Sequence, residues 1–359
     1  MDLTSLIPTS DTIPAPAWLF LVLDILLFTI HILLINVILG GSLITLVSRL
    51  KSKDDTLENR LHGSIADKLP TTFALGVNMG VAPLLFLQVI YGHLFYASSV
   101  LLAVYWILVI PLIILAYYGA YIHIRKYASA TLLSKMAIWI SAIILLYIGF
   151  VFVNNMSLMT QPDRWGTYFE NRDGTILNWG DPTLIPRYLH FVAASVAVSG
   201  LFMAMVWTSR QKKGVDGAEA KVKSSLLIFG YATIIQVVVG LWFLLAIPRE
   251  FMLNLMGGDI FSTVIFMLGF LSAIGAIATA FANKFRPTLS MLLVTILAMV
   301  IIRHQLRAMY LDGKFSLSSL EMMPQYGVMI LFFIVLAVGL YAVWYMLKAA
   351  FVNKEGRAA

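Results

Sequence analysis

The sequence predicts an all-α membrane protein: nine transmembrane helices in one bundle, amino terminus outside and carboxyl terminus inside. Three observations predict it. Of 359 residues, 60% are hydrophobic and only 12% charged, and mean hydropathy is +0.88, whereas soluble domains run at about 45–50% apolar and about 25% charged. Apolar runs of the ~20 residues needed to cross a bilayer recur along the whole chain. Lys and Arg gather in alternate connections, the pattern that marks the cytoplasmic side. A soluble globular enzyme is thereby excluded, and so is a disordered chain, because apolar surface is plentiful.

The elements follow in order. The first run, 18–48, contains ILLFTIHILLINV and ends at Arg49 and Lys51. The preceding MDLTSLIPTSDTIPAPAW has no basic stretch, so the run is expected to remain as an anchor rather than be cleaved as a signal peptide. The second run, 70–91, starts after Lys68, and the third, 97–123, ends before Arg125 and Lys126. The fourth, 134–156, begins beside Lys135 and ends on Asn154 and Asn155. Residues 157–187 are rich in Asp, Asn, Gly and Pro and read as a compact outer loop. The fifth run, 188–209, leads into Arg210, Lys212 and Lys213, and the sixth, 224–247, follows Lys221 and Lys223. The seventh, 258–283, and the eighth, 288–310, flank Lys284 and Arg286, and the ninth, 325–350, carries Lys348. Lipid admits only helices or closed barrels, and these runs are far longer than barrel strands. No connection is long enough to fold alone, so residues 1–359 form a single domain.

The inner connections hold 18 of the 25 Lys and Arg residues and the outer ones 7, while acidic residues divide 7 to 11. The inner side is therefore +11 and the outer side −4. The net charge of +7 reports orientation, and nucleic acid, which would need a basic soluble face, is excluded as a partner. The chain has no cysteine, which removes disulfides, thiolate zinc sites, iron–sulfur clusters and covalently attached haem c. Metal chemistry would rest on His, Met, Asp or Glu.

Depth along each run follows from a rise of ~1.5 Å per residue through a core ~30 Å thick. Measured from Arg49, His31 lies about one turn inside the outer boundary, and Asp24 lies on a helix end projecting beyond it. From Arg210, His190 falls at the outer boundary. Met267 and His304 fall about one turn inside, with Arg303 and Arg307 beside the histidine. Asn154 and Asn155 share that level, and His93 lies just past the end of the second run.

Ionisable groups inside a membrane are costly and point to function. Imidazole and thioether ligate haem iron, and Arg suits haem propionates, so non-covalent b-type haem is the chemistry this layer supports. Each residue also has a plainer role. His31 could bond a carbonyl across a helix interface, and His190 could cap an interfacial helix end. Met267, one of 17 methionines, could simply pack. His304 could ligate, touch a propionate or snorkel. His123 and His62 read as interfacial, and Gly76, Gly80, Gly240 and Gly269 as close helix packing or, less simply, as transporter breaks.

Four segments resemble subunit I of the cytochrome bd quinol oxidases: IHILLINVILGGSL at 30–43, FALGVNMGVAP at 73–83, FVNNMSLMTQP at 152–162 and PRYLHFVAASVAVSGLFM at 186–203. The resemblance implies that His190 ligates the low-spin haem b. It also implies that His31 ligates a haem of the oxygen-reducing pair, either a haem b or a chlorin-type haem d. Two or three haems, a second membrane subunit and a prokaryotic inner membrane follow from the same likeness. Departures narrow the function. The family's third helix carries two glutamates, and LLAVYWILVIPLIILAYYGAYI has none. The eighth should bring a glutamate and a Gly-Arg-Gln-Pro-Trp signature, where this chain reads LAMVIIRHQLRAMYL. The long quinol loop shrinks to PREFMLNLMGGD, where Arg249 and Glu250 could meet a quinone head. Met267 stands about two residues from the family's methionine ligand.

Oxygen reduction consumes protons and needs carboxylates or water to bring them. The expectation is therefore an electron-transferring cytochrome b, handing electrons to or from an outer cytochrome c, a multihaem subunit or the quinone pool. A divergent terminal oxidase and a haem-free structural or transport subunit are the alternatives.

Overall fold

A computed structural model describes residues 7–51, 63–126 and 132–355. Eleven α-helices appear among them: α1 (Ala17–Lys51), α2 (Gly63–Ala66), α3 (Leu69–Leu101), α4 (Ala103–Arg125), α5 (Leu132–Met159), α6 (Leu184–Gln211), α7 (Ala218–Ala246), α8 (Arg249–Leu253), α9 (Ile260–Phe281), α10 (Phe285–Leu311) and α11 (Tyr326–Glu355). All but α2 and α8 are long and apolar enough to cross a membrane, nine among the described residues. The polytopic all-α bundle expected from hydropathy is therefore present. Its two ends differ: one carries the Lys- and Arg-rich connections, here the basic end, and the other carries the connection from α5 to α6, the loop end.

The neighbours follow the sequence. α1 packs on α3 and α6, α4 on α5, α6 on α7, and α9 on α10. Between apolar helices in lipid the hydrophobic effect is weak, so close approach and interhelical hydrogen bonds hold the pairs. At the α1–α6 crossing a Cβ on Gly40 would lie 1.9 Å from the Ser195 carbonyl oxygen, so only glycine permits that approach. Beside it Ser199 Oγ donates to Asn36 O at 3.0 Å. Between α9 and α10 the Ser272 and Thr295 hydroxyls pair at 2.8 Å.

The second and third helices differ from the hydropathy reading. α3 continues to Leu101, and only Leu102 separates it from α4. The backbone is non-helical at Tyr91 (φ −121°, ψ 22°), a local bend rather than a break, so the helix absorbs the segment expected to be a loop. His93 consequently lies inside α3. The loop between α5 and α6 also shortens, because both helices extend into it. It folds as a 3₁₀ turn, Pro162–Phe169, anchored by Trp165, whose Nε1 donates to Leu158 O at 2.9 Å.

α11 exposes almost every side chain. It is tied to the bundle by an isolated parallel bridge between Ile13 and Met322, where Ile13 N donates to Glu321 O and Met323 N to Ile13 O, both at 2.9 Å.

Candidate functional site

Two histidines sit in seats of the same design. His31 Nδ1 lies 3.0 Å from the carbonyl oxygen of Gly76 on α3. One turn further along α3, a Cβ on Gly80 would come within 2.5 Å of the His31 Cε1. His190 Nδ1 lies 3.1 Å from the carbonyl oxygen of Gln236 on α7. One turn on, a Cβ on Gly240 would come 3.1 Å from its Cε1. In both, the Cε1–Nδ1 edge of a ring on one helix abuts a glycine of a neighbouring helix. The carbonyl four residues earlier takes the Nδ1 proton.

A carbonyl can only accept, so that contact fixes the tautomer: Nδ1 carries the proton and Nε2 keeps its lone pair. The same arrangement orients metal-ligating histidines and raises their basicity. His31 Nε2 has no hydrogen bond among those of the described residues. His190 Nε2 stands 3.3 Å from the Gln236 side-chain amide nitrogen, a long contact that a stronger ligand displaces readily.

The two seats share a depth. α1 and α6 both run from the loop end to the basic end and cross at Gly40 and Ser195–Ser199. His31 stands nine residues towards the loop end from that crossing, ~13 Å, and His190 five to nine, ~7–13 Å. His31 and His190 therefore stand at similar distances from the α1–α6 crossing towards the loop end, although the rings belong to separate helix pairs.

The α10 residues meet α1 rather than His190. The Arg303 guanidinium carbon lies 4.3 Å from the Phe28 ring centre, and Phe28 lies 6.3 Å from the His31 ring. One turn further, Arg307 is 4% exposed, faces the Tyr91 ring at 4.8 Å and pairs with Asp24 at 4.0 Å. Asp24, Phe28 and His31 thus form one stripe on α1 opposite Arg307 and Arg303. Asp24 is 6% exposed, and the arginine on α10 supplies the opposite charge a buried carboxylate requires. His304 lies between the two arginines in sequence, and its buried Nδ1 has no hydrogen-bond partner. Met267 is 37% exposed on α9, and no core cluster or ring contact among the described residues includes it.

Arg187 stands in the first turn of α6. Its Nη2 donates to Thr183 Oγ1 at 3.1 Å, its guanidinium covers Phe243 at 5.3 Å, and its Nε is buried without a partner. Arg307 and Asp181 both lie within its electrostatic reach. The sequence signal was its place three residues before His190, on the same helix face.

A polar network fixes the start of α6. Asp181 accepts from Ser157 Oγ, from Gln161 Nε2 at 3.0 Å, and from Thr183 N and Oγ1 at 2.9 and 2.8 Å. Burial by itself would raise its pKa, but the bonds from Ser157 and Thr183, with the Arg187 charge, hold the carboxyl below its ordinary value of 3.8. Asn154 Oδ1 accepts from Asn178 N at 3.0 Å, while Asn155 bonds Ser98 and, through Nδ2, Ser99 at 3.0 Å. Both asparagines are structural ties.

His123, in the last turn of α4 beside Arg125, is fully buried, with Nδ1 3.0 Å from Ser134 O, because α4 and α5 close over it. His62 lies outside the described residues. Arg249 and Glu250 are exposed on α8. Among the described residues no three His, Asp or Glu side chains converge on one point. No protein-family model matches the chain, and no curated protein matches it.

Proposed function

We propose that the chain is a membrane cytochrome b subunit resembling subunit I of the cytochrome bd oxidases, and that it transfers electrons between haems held near the loop end. The observation that carries this reading is the pair of matched seats. Each offers an imidazole Nε2 with its tautomer already set and its ring packed on glycine, at a common depth on α1 and α6. A lone hydrogen-bonding histidine needs no such floor. Haem supplies one-electron chemistry at its iron, with four equatorial nitrogens of its own and one or two axial ligands from protein.

His190 on α6 and His31 on α1 would each hold a haem. Arg303 and Arg307, and now Arg187, present guanidinium groups suited to propionates between the two seats. The buried Nε–H of Arg187 has no partner among the described residues, and an anionic edge would satisfy it; the equally unpartnered Nδ1 of His304 would donate to such an edge in its Nδ1–H tautomer. Met267, 37% exposed on α9, is not assigned a ligand role in this reading. The haem at His31 is of b type or a chlorin-type d.

The absence of glutamate from α4 and α10 argues for electron transfer rather than oxygen reduction. With the basic end inside, the haems lie towards the outer face of a prokaryotic inner membrane. There an outer cytochrome c or multihaem subunit can exchange electrons with them, alongside a second membrane subunit and the quinone pool.

Reduced-minus-oxidised difference spectra of the purified protein test this reading. His190→Ala is expected to remove one haem b α-band and leave the remainder. An unchanged spectrum sinks the assignment of His190.

A further inference from the structure

The connection between α6 and α7 carries five Lys and Arg residues against two acidic ones over 210–223. Lys212, Lys213 and Lys223 are exposed, as charges that only set orientation would be. Arg210 and Lys221 are placed differently. Arg210, in the last turn of α6, brings its guanidinium carbon 4.5 Å from the ring centre of Trp207. Lys221, in the first turn of α7, brings its Nζ 4.1 Å from the same ring. Trp207 is buried in the core cluster shared by α6 and α7, so the ring is a fixed platform for both cations.

Two like charges on one indole stand within electrostatic reach of each other. The attraction of each cation to the ring offsets part of that repulsion. No ion pair of the described residues includes either cation, although Asp216 and Glu219 are exposed in the same connection. Elsewhere at the basic end a single cation faces an exposed ring, Arg125 at Tyr121 and Lys348 at Trp344. The α6–α7 pair is thus a double positive charge, held in place and uncompensated. Both helices are long and apolar enough to cross a membrane, which puts the pair at headgroup level, where Trp is favoured. Ile228, Tyr231 and Ile235 follow Lys221 by seven, ten and fourteen residues and lie on the same side of α7. Tyr231 and Ile235 are exposed, so an apolar flank leads from the pair towards the middle of the bundle.

We propose that Arg210 and Lys221 bind the phosphate diester of an anionic glycerophospholipid, whose acyl chains run along Tyr231 and Ile235. The planar guanidinium donates to two phosphate oxygens at once, and the ammonium adds a point charge. The negative charge of the lipid removes the repulsion between the two cations. A soluble phosphate gains the same ion pairs and nothing from the flank. A zwitterionic lipid gains the flank, and its own ammonium is repelled by Lys212, Lys213 and Lys223. The site stands at the opposite end of the bundle from His31 and His190 and depends on neither.

Native mass spectrometry of the detergent-purified full-length chain, titrated with dioleoylphosphatidylglycerol, tests the site. One tightly held lipid is expected, with dioleoylphosphatidylcholine, which has the same chains, bound about tenfold more weakly. Arg210→Gln and Lys221→Gln should each weaken the tight binding about fivefold. Arg210→Lys, which keeps the charge and loses the fork, should weaken it less. Lys212→Gln combined with Lys213→Gln should leave it within about twofold, as for other exposed charges. Phosphatidylglycerol should also raise the melting temperature of the unaltered chain, and inorganic phosphate at the same concentration should not. Equal binding of the two lipids, equal stabilisation by inorganic phosphate, or a loss from the Lys212 and Lys213 variant as large as that from Lys221→Gln overturns the proposal. The lipid and phosphate comparisons use the unaltered chain, so they decide the matter independently of how the variants fold.

Discussion

The pairs α1–α3 and α6–α7 and the pair α9–α10 each offer candidate haem ligands in the sequence, His31 and His190 ahead of Met267 and His304, and the fold treats them differently. In the first two, the imidazole is seated: carbonyl at Nδ1 and glycine against the Cε1–Nδ1 edge, with Nε2 unbonded in His31 and in long contact with the Gln236 amide in His190. On α9 and α10 the thioether is exposed and the His304 Nδ1 has no partner. In the proposed reading a buried donor atom alone does not make a ligand; the support behind it does, because that support fixes orientation before a metal arrives.

The comparison can be broken most directly at the seats. His31→Ala and His190→Ala should each remove one haem per chain, read as loss of absorbance at the corresponding α-band, whereas Met267→Leu should keep every haem. Loss of a haem in the methionine variant would erase the distinction between the two regions.

Next in size are the glycine floors. Gly80→Ala places a methyl 2.5 Å from the His31 ring, and Gly240→Ala one 3.1 Å from the His190 ring. Overpacking of this kind costs about 1–3 kcal/mol. Haem occupancy and thermal stability should fall in both, and further for Gly80→Ala. Equal or opposite ranking would show that the rings are not held as described.

The arginines sharpen the contrast from the other side. Arg307→Ala leaves Asp24 buried without its partner, a loss of about 3–5 kcal/mol for such pairs. Asp24→Asn, Arg307→Ala combined should recover part of the stability seen in detergent melts, because the uncompensated charge is gone. If the double variant is as unstable as the single one, the pair is not the cause.

The smallest effect concerns the loop. The Asp181 carboxyl is depressed on folding below its ordinary 3.8, so its contribution is complete above that value and is lost as the pH falls through the folded-state pKa. The melting temperature should therefore drop more steeply below about pH 4 in the wild type than in Asp181→Asn. Parallel pH profiles would contradict that origin.

Much of the architecture was legible from hydropathy, since lipid leaves the backbone few options. Depth was legible too: a constant rise per residue is enough to bring His31 and His190 into one layer. The contacts were not. Nothing in the apolar run around Tyr91 announces that the helix bends and continues, so His93 was put beyond a helix it belongs to. The role of Gly80 and Gly240 was visible only as small residues, because which ring rests on a glycine depends on how neighbouring helices rotate. Asp24 and Arg307 are far apart in sequence, and only the antiparallel meeting of α1 and α10 makes them partners. Arg187 stood beside His190 all along and was counted as loop charge, since its burial depends on the network around Asp181.

The central claim is that two imidazoles are prepared for haem. The most direct measurement is a pyridine haemochrome determination of haem per chain in the purified protein, repeated for His31→Ala and His190→Ala. The account predicts two or three non-covalent haems in the wild type and one fewer in each variant. Purified, folded protein without any iron porphyrin, or variants with the full complement, would contradict it.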